Sequence, residues 1–268
     1  MNRPRILVTN DDGIHAPGLL ALKRALEPIG QVFVVAPERP RSAIGHAVTL
    51  HKPLRLRETC LPDGSPAWAS SGTPTDCVSL AYEIVMQGRA DLACAGINDG
   101  ANLGWDVTYS GTVMAAMEAA ILGVPAIAIS VVADGDHPVA HYESAASAAV
   151  DIAQRALSNG LRAHTLLNVN VPDGRPERPR AIEVTHQGRR EYVDRVVTRQ
   201  DPRESPYYWL AGNIKDENGQ EGSDIEAIRR GAVSVTPLEI DMTAVDLIGE
   251  VRAWWGRDRQ SPTSTEGR

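Results

Sequence analysis

The chain has 268 residues, 43% hydrophobic and 23% charged, an ordinary globular balance with enough apolar surface for a full core. Its net charge of -7 argues against nonspecific binding to nucleic acid or a membrane surface as the main task, since both want a basic face. No apolar run approaches membrane-spanning length and the first residues hold no apolar leader, so the expected location is cytoplasmic; Cys60, Cys77 and Cys94 show no CxxC spacing and read as buried, reduced thiols.

Residues 5–13, RILVTNDDG, begin with an apolar run that suits a buried strand and end in two adjacent carboxylates before Gly13. Side chains alternate along a strand, so Asp11 and Asp12 converge only where the backbone has left it. Ligands bind at the carboxyl ends of strands in open α/β sheets, and two close carboxylates repel unless a cation lies between them. The pair reads as a divalent-metal site, with a solvated Asp-Asp-Gly turn as the plain alternative. Leu19, Leu20, Leu22 and Leu26 predict a helix over 17–29 with Pro17 near its start, and residues 31–36 read as a second strand, so the chain opens with a parallel crossover unit. No GxGxxG follows the first strand, which counts against the usual dinucleotide site.

The loop 37–47 leaves the carboxyl end of that second strand and belongs on the same rim as the aspartates. It offers the Ser42 hydroxyl, Arg39 and Arg41 for anions, and His46 as an acid or base; each also suits an ordinary surface loop. Alternation over 48–56 predicts a strand or hairpin, and residues 67–70 another short strand. Thr73 as N-cap, Pro74 in the first helical position and Asp76 in the first turn predict a helix reaching residue 86, whose start either holds an anion or is simply capped.

Residues 92–95 read as a strand ending before Asn98. The loop 96–112 carries Asn98, Asn102, Ser110, Gly111 and Thr112, and is richer in glycine and polar residues than a plain connection requires. Ser110, Gly111 and Thr112 sit where the next helix, 113–122, begins, so free N–H groups and two hydroxyls are expected to face an anion. Met114, Met117 and Ile121 on one face of that helix read as core. Strands over 125–130, 165–171 and 181–185 and a helix over 141–157 follow. From residue 187 arginines alternate with apolar residues up to PYYWL at 206–210, which suits a projecting hairpin at a subunit interface, with single-stranded nucleic acid as the lesser reading. A helix over 223–230, a strand over 232–237, a helix over 244–255 and a polar, mobile tail over 257–268 complete the chain.

Asp11, Asp12, Ser42 and Asn98 thus fall at the ends of successive strands, a hard oxygen set suited to Mg²⁺, Mn²⁺ or Ca²⁺ rather than zinc. With helix starts at Thr73 and Thr112 for a phosphate, metal and anion cradle together point to phosphoryl chemistry; the absence of GxxxxGK[ST] counts against P-loop NTP hydrolysis. A receiver-like signalling module would need an acceptor aspartate and a lysine at strand ends where Asn98 and Ser130 stand. A non-catalytic nucleotide-binding protein stays open.

Several long motifs carry a more specific likeness: TNDDG at 9–13, APERPRSAIGHAVTLHKPLR at 36–55, SGTPTDCV at 71–78, AGINDGANLGWDVTYSGTVMAAMEA at 95–119 and GVPAIAIS at 123–130. With DPRESPYYWLAG at 201–212 and VSVTPLEIDMTA at 233–244, they resemble the SurE (survival protein E) family of nucleotidases over nearly the whole chain. The resemblance implies a Rossmann-like α/β fold with a mostly parallel sheet and helices on both faces. It also implies one domain over 1–256, with a hairpin arm near 187–222 and a C-terminal helix exchanged between subunits in a homodimer or homotetramer. The implied activity is metal-dependent hydrolysis of nucleoside 5′-monophosphates, with 3′-nucleotides and short polyphosphate as side substrates. One divalent cation per subunit, Mg²⁺ or Mn²⁺ (Ca²⁺ in crystals), is implied on Asp11, Asp12, Ser42 and Asn98, with phosphate on Asn102, Ser110, Gly111 and Thr112. Asp11 or Asp12 would act on a metal-bound water for in-line attack, or form an aspartyl-phosphate. The chain departs from the family pattern at Arg203-Glu204-Ser205-Pro206, which lacks a glycine after the arginine, and at Ala119-Ala120, which replaces a glycine.

Overall fold

The first strand and the first crossover form where apolar periodicity places them, in a computed structural model that describes residues 3–133, 141–174, 180–190, 192–193, 196–210, 213–214 and 220–256. The elements of the first half are β1 (Arg5–Thr9), α1 (Pro17–Leu26), β2 (Gln31–Pro37), β3 (Leu56–Cys60), β4 (Pro66–Ser70), α2 (Pro74–Leu80), β5 (Leu92–Asp99), α3 (Gly111–Ile121) and β6 (Ala126–Val132). The second half holds α4 (Glu143–Asn159), β7 (Thr165–Pro172), β8 (Ile182–Val184), β9 (Tyr192–Val193), β10 (Val196–Gln200), β11 (Pro206–Leu210), β12 (Asn213–Ile214), α5 (Asp224–Arg229), β13 (Val233–Glu239) and α6 (Ile248–Gly256).

Nine strands make one sheet in the order β3-β4-β2-β1-β5-β6-β7-β13-β8. The six strands from β4 to β7 are all parallel; β3 joins β4 and β13 joins β7 antiparallel. Taken by themselves, the six parallel strands follow the doubly wound order, which reverses between β1 and β5. A crevice opens at such a reversal, because the helices leaving the two strands go to opposite faces.

Strict alternation builds the two layers. Ile6, Val8, Ile127 and Ile129 face α1 and α4, whereas Leu7, Ala93, Ala95, Ala126 and Ala128 face α2 and α3. The alanines on that second face leave room for α3 to lie close, and Met114 and Met117 fill what remains. The crossovers through α1, α2 and α3 share one hand. The β6–α4–β7 crossover steps across the sheet as β5–α3–β6 does but sends its helix to the other face, so its hand is opposite. This leaves the α3 face of β7 without a helix of its own.

Several expectations need correction. Residues 48–55 form no strand; the pairing starts at Leu56, because the preceding stretch is drawn onto α2 and α3 instead of a sheet edge. The helix expected to reach residue 29 ends at Leu26, and the one expected to reach 86 finishes as a π-helical turn, Ala81–Val85. Strand β5 runs on to Asp99 through a register shift between Ala95 and Asn98, so Asn98 lies within it rather than beyond it. Ile121 is 43% exposed, at the last turn of α3 where the helix clears the sheet, and is not core. Cys60 is exposed on edge strand β3, while Cys77 and Cys94 are buried; all three are free. The last helix is split, a 3₁₀ turn at Val245–Leu247 preceding α6. The arm appears as the antiparallel pair β10–β11 and the short pair β9–β12, both outside the nine-stranded sheet, with Trp209 61% and Leu210 89% exposed. The expected tail, 257–268, lies outside the described residues. No helix among the described residues is long and apolar enough to cross a membrane.

One charged clamp ties α1 to the turn after β3. Buried Lys23 reaches Asp63 at 3.0 Å and Glu27 at 2.8 Å, Arg24 reaches Asp63 at 3.2 Å, and the Ser65 hydroxyl donates to Asp63 at 2.6 Å. The Ser65 hydroxyl, with Lys23 and Arg24, holds the Asp63 carboxyl well below the usual carboxylate range. A carboxyl lowered on folding stabilises above its unfolded pKa and loses that contribution as pH falls. Asp63→Asn is therefore expected to lower the thermal midpoint at pH 7, and the gap to the parent should narrow below about pH 4. Thermal melts of both proteins across that range check it; a gap that stays constant sinks the clamp.

Candidate functional site

At the end of β1 the chain turns sharply. The Asn10 side chain donates to the Gly13 carbonyl at 3.0 Å, and Gly13, at φ +96°, takes a left-handed conformation that favours glycine. The loop after β2 is locked onto this turn: Ile14 N–H donates to the Pro37 carbonyl at 2.9 Å, and Arg41 N–H to the Asp11 carbonyl at 2.7 Å. The turn and loop thus carry Asp11 and Asp12 into the crevice between β1 and β5.

Asp11 is buried, and its carboxylate lies against the first turn of α3. A Cβ at Gly111 would come within 2.8 Å of both the Asp11 Cβ and its Oδ2. Only a residue with no side chain lets the helix start this close. The Thr112 hydroxyl donates to Asp11 Oδ1, and the same hydroxyl is 3.4 Å from Asn98 Oδ1. The Asn98 amide donates to the Gly100 carbonyl at 2.8 Å, which aims its oxygen toward the aspartate. On the other side Asp12 Oδ2 is 3.4 Å from the Asp99 N–H.

The electrostatics are strained toward excess negative charge. Burial pushes the Asp11 carboxyl up, partly offset by the Thr112 hydrogen bond. Burial and then the charge of Asp11 push Asp12 up to about 6. Burial and then the charges of Asp99, Asp12 and Asp173 push the Tyr142 phenol, at the start of α4, up to about 12. Two carboxylates and an amide oxygen converging with a shortage of positive charge fit a hard divalent cation.

The structure brings Asp11, Asp12, Asn98, Gly111 and Thr112 together. Ser42 is exposed and follows Arg41, whose N–H is hydrogen-bonded to the Asp11 carbonyl. Of the two hydroxyls expected to face an anion, Thr112 donates to Asp11, and Ser110 is the N-cap that accepts Val113 N–H at 3.1 Å. Asn102 is buried; its side chain donates to Ser130 Oγ at 2.8 Å, its N–H to Asn170 Oδ1 at 2.9 Å, and its carbonyl accepts from Asn168 at 2.8 Å and Asn170 at 3.0 Å. Thr73 closes a full capping box with Asp76 and donates to the Ala47 carbonyl at 2.7 Å, so its helix start is a brace rather than an open cradle. Arg41 donates to the Ser71 carbonyl at 3.2 Å, and His46 pairs with Glu118 at 3.0 Å.

Sequence reasoning missed the residues that fasten the 3₁₀ segment Gly104–Tyr109. Buried Asp224, at the start of α5, accepts Gly104 N–H and Gly188 N–H at 2.8 Å each. Arg190 reaches Asp106 at 2.7 Å and the Tyr192 hydroxyl donates to the same carboxylate at 2.6 Å. Asn168 and Asn170 were visible as a period-two polar pair in the strand TLLNVNV; nothing local marks Asp224.

Comparison with known proteins agrees with this geometry. The model of the family Survival protein SurE matches residues 6–194. A protein of Pelobacter propionicus described as 5′-nucleotidase SurE is 50% identical over 249 residues, covering 93% of this chain and 98% of its own. One of the same description from Syntrophotalea carbinolica is 53% identical over 239 residues, covering 89% and 92%. The crystal structure of the SurE protein from Aquifex aeolicus superposes with a TM-score of 0.82 at 41% identity, covering 94% of this chain and 100% of that one.

Gly111→Ala tests the close approach directly. The added methyl overlaps the buried Asp11 side chain, so it displaces the carboxylate and lowers the thermal midpoint, while alanine's helix propensity keeps α3 and the fold in place. A shift of this size is expected to cost about 100-fold in phosphatase turnover. Full activity in this variant would mean that the Asp11–Gly111 contact does not set the site.

Proposed function

The chain belongs to the SurE family, and we propose that it is a phosphoric monoester hydrolase, a 5′-nucleotidase that releases phosphate from nucleoside 5′-monophosphates. One observation carries the reading: two carboxylates with raised pKa values meet Asn98 and the start of α3 at the sheet's switch point. We assign Asp11, Asp12, Asn98 and Ser42 as the residues that would hold one Mg²⁺ or Mn²⁺. Such a cation supplies Lewis-acid polarisation of a phosphoryl oxygen and lowers the pKa of water.

The chain's own groups do the rest. Asp11, fixed by the Thr112 hydroxyl and by contact with Gly111, serves as the rigid carboxylate. Asp12 is less enclosed, and its Oδ atoms orient the attacking water and take its proton. The N–H groups at the start of α3 and the Asn102–Ser110 segment hold the transferring group in line. Attack is direct; trapping a phosphorylated Asp11 or Asp12 would replace it with a covalent route. Hydrolysis of 3′-nucleotides and short polyphosphate, a cytoplasmic location, a single domain over 1–256 and a homo-oligomer joined through the β10–β11 arm and α6 complete the proposal.

The test is phosphate release from a panel of 5′- and 3′-mononucleotides with Mn²⁺, Mg²⁺ or EDTA. Turnover of 5′-nucleotides that EDTA abolishes, and that Asp12→Asn lowers by about 100-fold or more, is the expected outcome. A folded protein that turns over nothing with either metal would leave a nucleotide-binding module instead.

A further inference from the structure

The stretch that carries Ser42 has no regular structure, yet it is tethered along its length. Arg41 N–H donates to the Asp11 carbonyl at 2.7 Å, and Gly45 N–H to the Tyr109 carbonyl at 3.0 Å. The Thr73 hydroxyl donates to the Ala47 carbonyl at 2.7 Å, and Thr49 N–H to Asp76 Oδ1 at 3.0 Å. Between these ties the tip turns through Ala43 at φ +53° and Gly45 at φ +58°, both left-handed. Four of the ties are backbone contacts or draw on the capping box of α2.

The fifth is made by two side chains. His46 Nε2 lies 3.0 Å from Glu118 Oε2, and the other oxygen of Glu118 accepts the Ser79 hydroxyl at 2.9 Å. Glu118 is on α3, seven residues past Gly111, so about 10 Å along the helix from the Asp11 contact. Its carboxyl is held below the usual range by the His46 and then the Ser79 hydrogen bond, so it stays an ionised acceptor for both donors. Ser79 on α2, Glu118 on α3 and His46 on the loop form one relay, with both carboxylate oxygens used. Ser79 holds the Glu118 carboxylate in place, and through His46 that carboxylate adds a side-chain tie to the backbone ties at Arg41 and Gly45 on either side of Ser42.

We propose that Glu118, oriented by Ser79, is a positioning residue that works through His46: it holds the tip carrying Ser42 against the site and so sets cation affinity without touching the cation. This rests on the assignment of Ser42 made above. Residues behind metal ligands commonly matter this way, since a ligand left free to move binds less well even where its chemistry is unchanged.

The experiment is calorimetric titration of the metal-free, full-length protein with Mn²⁺, alongside its thermal midpoint without metal. Glu118→Ala should weaken Mn²⁺ binding about tenfold at a temperature well below its metal-free midpoint, which falls as the Ser79 and His46 hydrogen bonds are lost. Glu118→Gln, which keeps an acceptor for His46, should recover most of the loss, and Ser79→Ala should weaken binding in the same direction by less. The double variant Ser42→Ala/Glu118→Ala should bind no more weakly than Ser42→Ala alone, because both act through one ligand. If Ser42→Ala weakens Mn²⁺ binding and neither Glu118→Ala nor Ser79→Ala does, this inference is overturned and the site assignment stands. If Ser42→Ala has no effect on Mn²⁺ binding, both fall. Should Glu118→Ala fail to fold, Ser79→Ala and Glu118→Gln carry the test, and parental affinity in Ser79→Ala overturns it.

Discussion

Much of this protein depends on one contact, a buried aspartate pressed against the start of a helix. Asp11 loses solvation in the crevice, and a carboxylate in that position needs donors. It finds them at Thr112, in the first turn of α3, where the free N–H groups and the helix dipole favour negative charge. That approach is open only because residue 111 lacks a side chain, and α3 can lie there only because the strands beneath it present Ala93, Ala95, Ala126 and Ala128. Small residues on one face of a sheet therefore determine where a charge can sit at its edge.

The hand of one crossover explains a second feature. With α4 packed beside α1, the α3 face of β7 must be covered by something other than a helix from its own crossover. The loop through Asn102 covers it, and a loop brings backbone N–H and C=O groups that cannot be buried unpaired. Asn168 and Asn170 on β7 and Ser130 on β6 meet that demand, which is why an interior strand, third from one edge of the sheet, carries two buried asparagines. The same loop continues into the 3₁₀ segment, which Asp224, Arg190 and Tyr192 fasten to the root of the arm.

How much of this was legible in the sequence follows from the range of the interactions involved. The parallel core was readable because strand alternation and the helix-start chemistry at Thr73-Pro74-Asp76 are local, and the capping box is present in full. Asp11, Asp12 and Asn98 could be grouped from strand order alone, although the register shift that keeps Asn98 inside β5 could not be seen. The partners that the Ser110 and Thr112 hydroxyls take could not be read locally, because each hydroxyl has a choice of partner. Ser110 turns to its own helix, while Thr112 finds a carboxylate 101 residues away in sequence. Residues 48–55 alternate like a strand but are taken up by ties to α2, a contact that no periodicity encodes. Ile121 followed the right period but lies in the last turn of α3 with 43% of its surface exposed, while the adjacent Leu122 packs against the core instead.

The charge balance then constrains what the site can bind. Burial displaces Asp11, Asp12 and Tyr142 toward their neutral forms, and the charges that add to it at Asp12 and Tyr142, Asp99 and Asp173 included, are all negative. A phosphate monoester, itself an anion, would meet repulsion from this rim as it stands. The N–H groups at the head of α3 offer partial positive charge, but Asp11 already takes up part of it. On the proposed reading a divalent cation would reverse the local sign for an anionic substrate, and carboxylate and amide oxygens are the kind such a cation prefers. On this view the burial that raises the aspartate pKa values is not a defect of the fold. On the proposed reading it leaves a rim whose repulsion a bound cation would relieve.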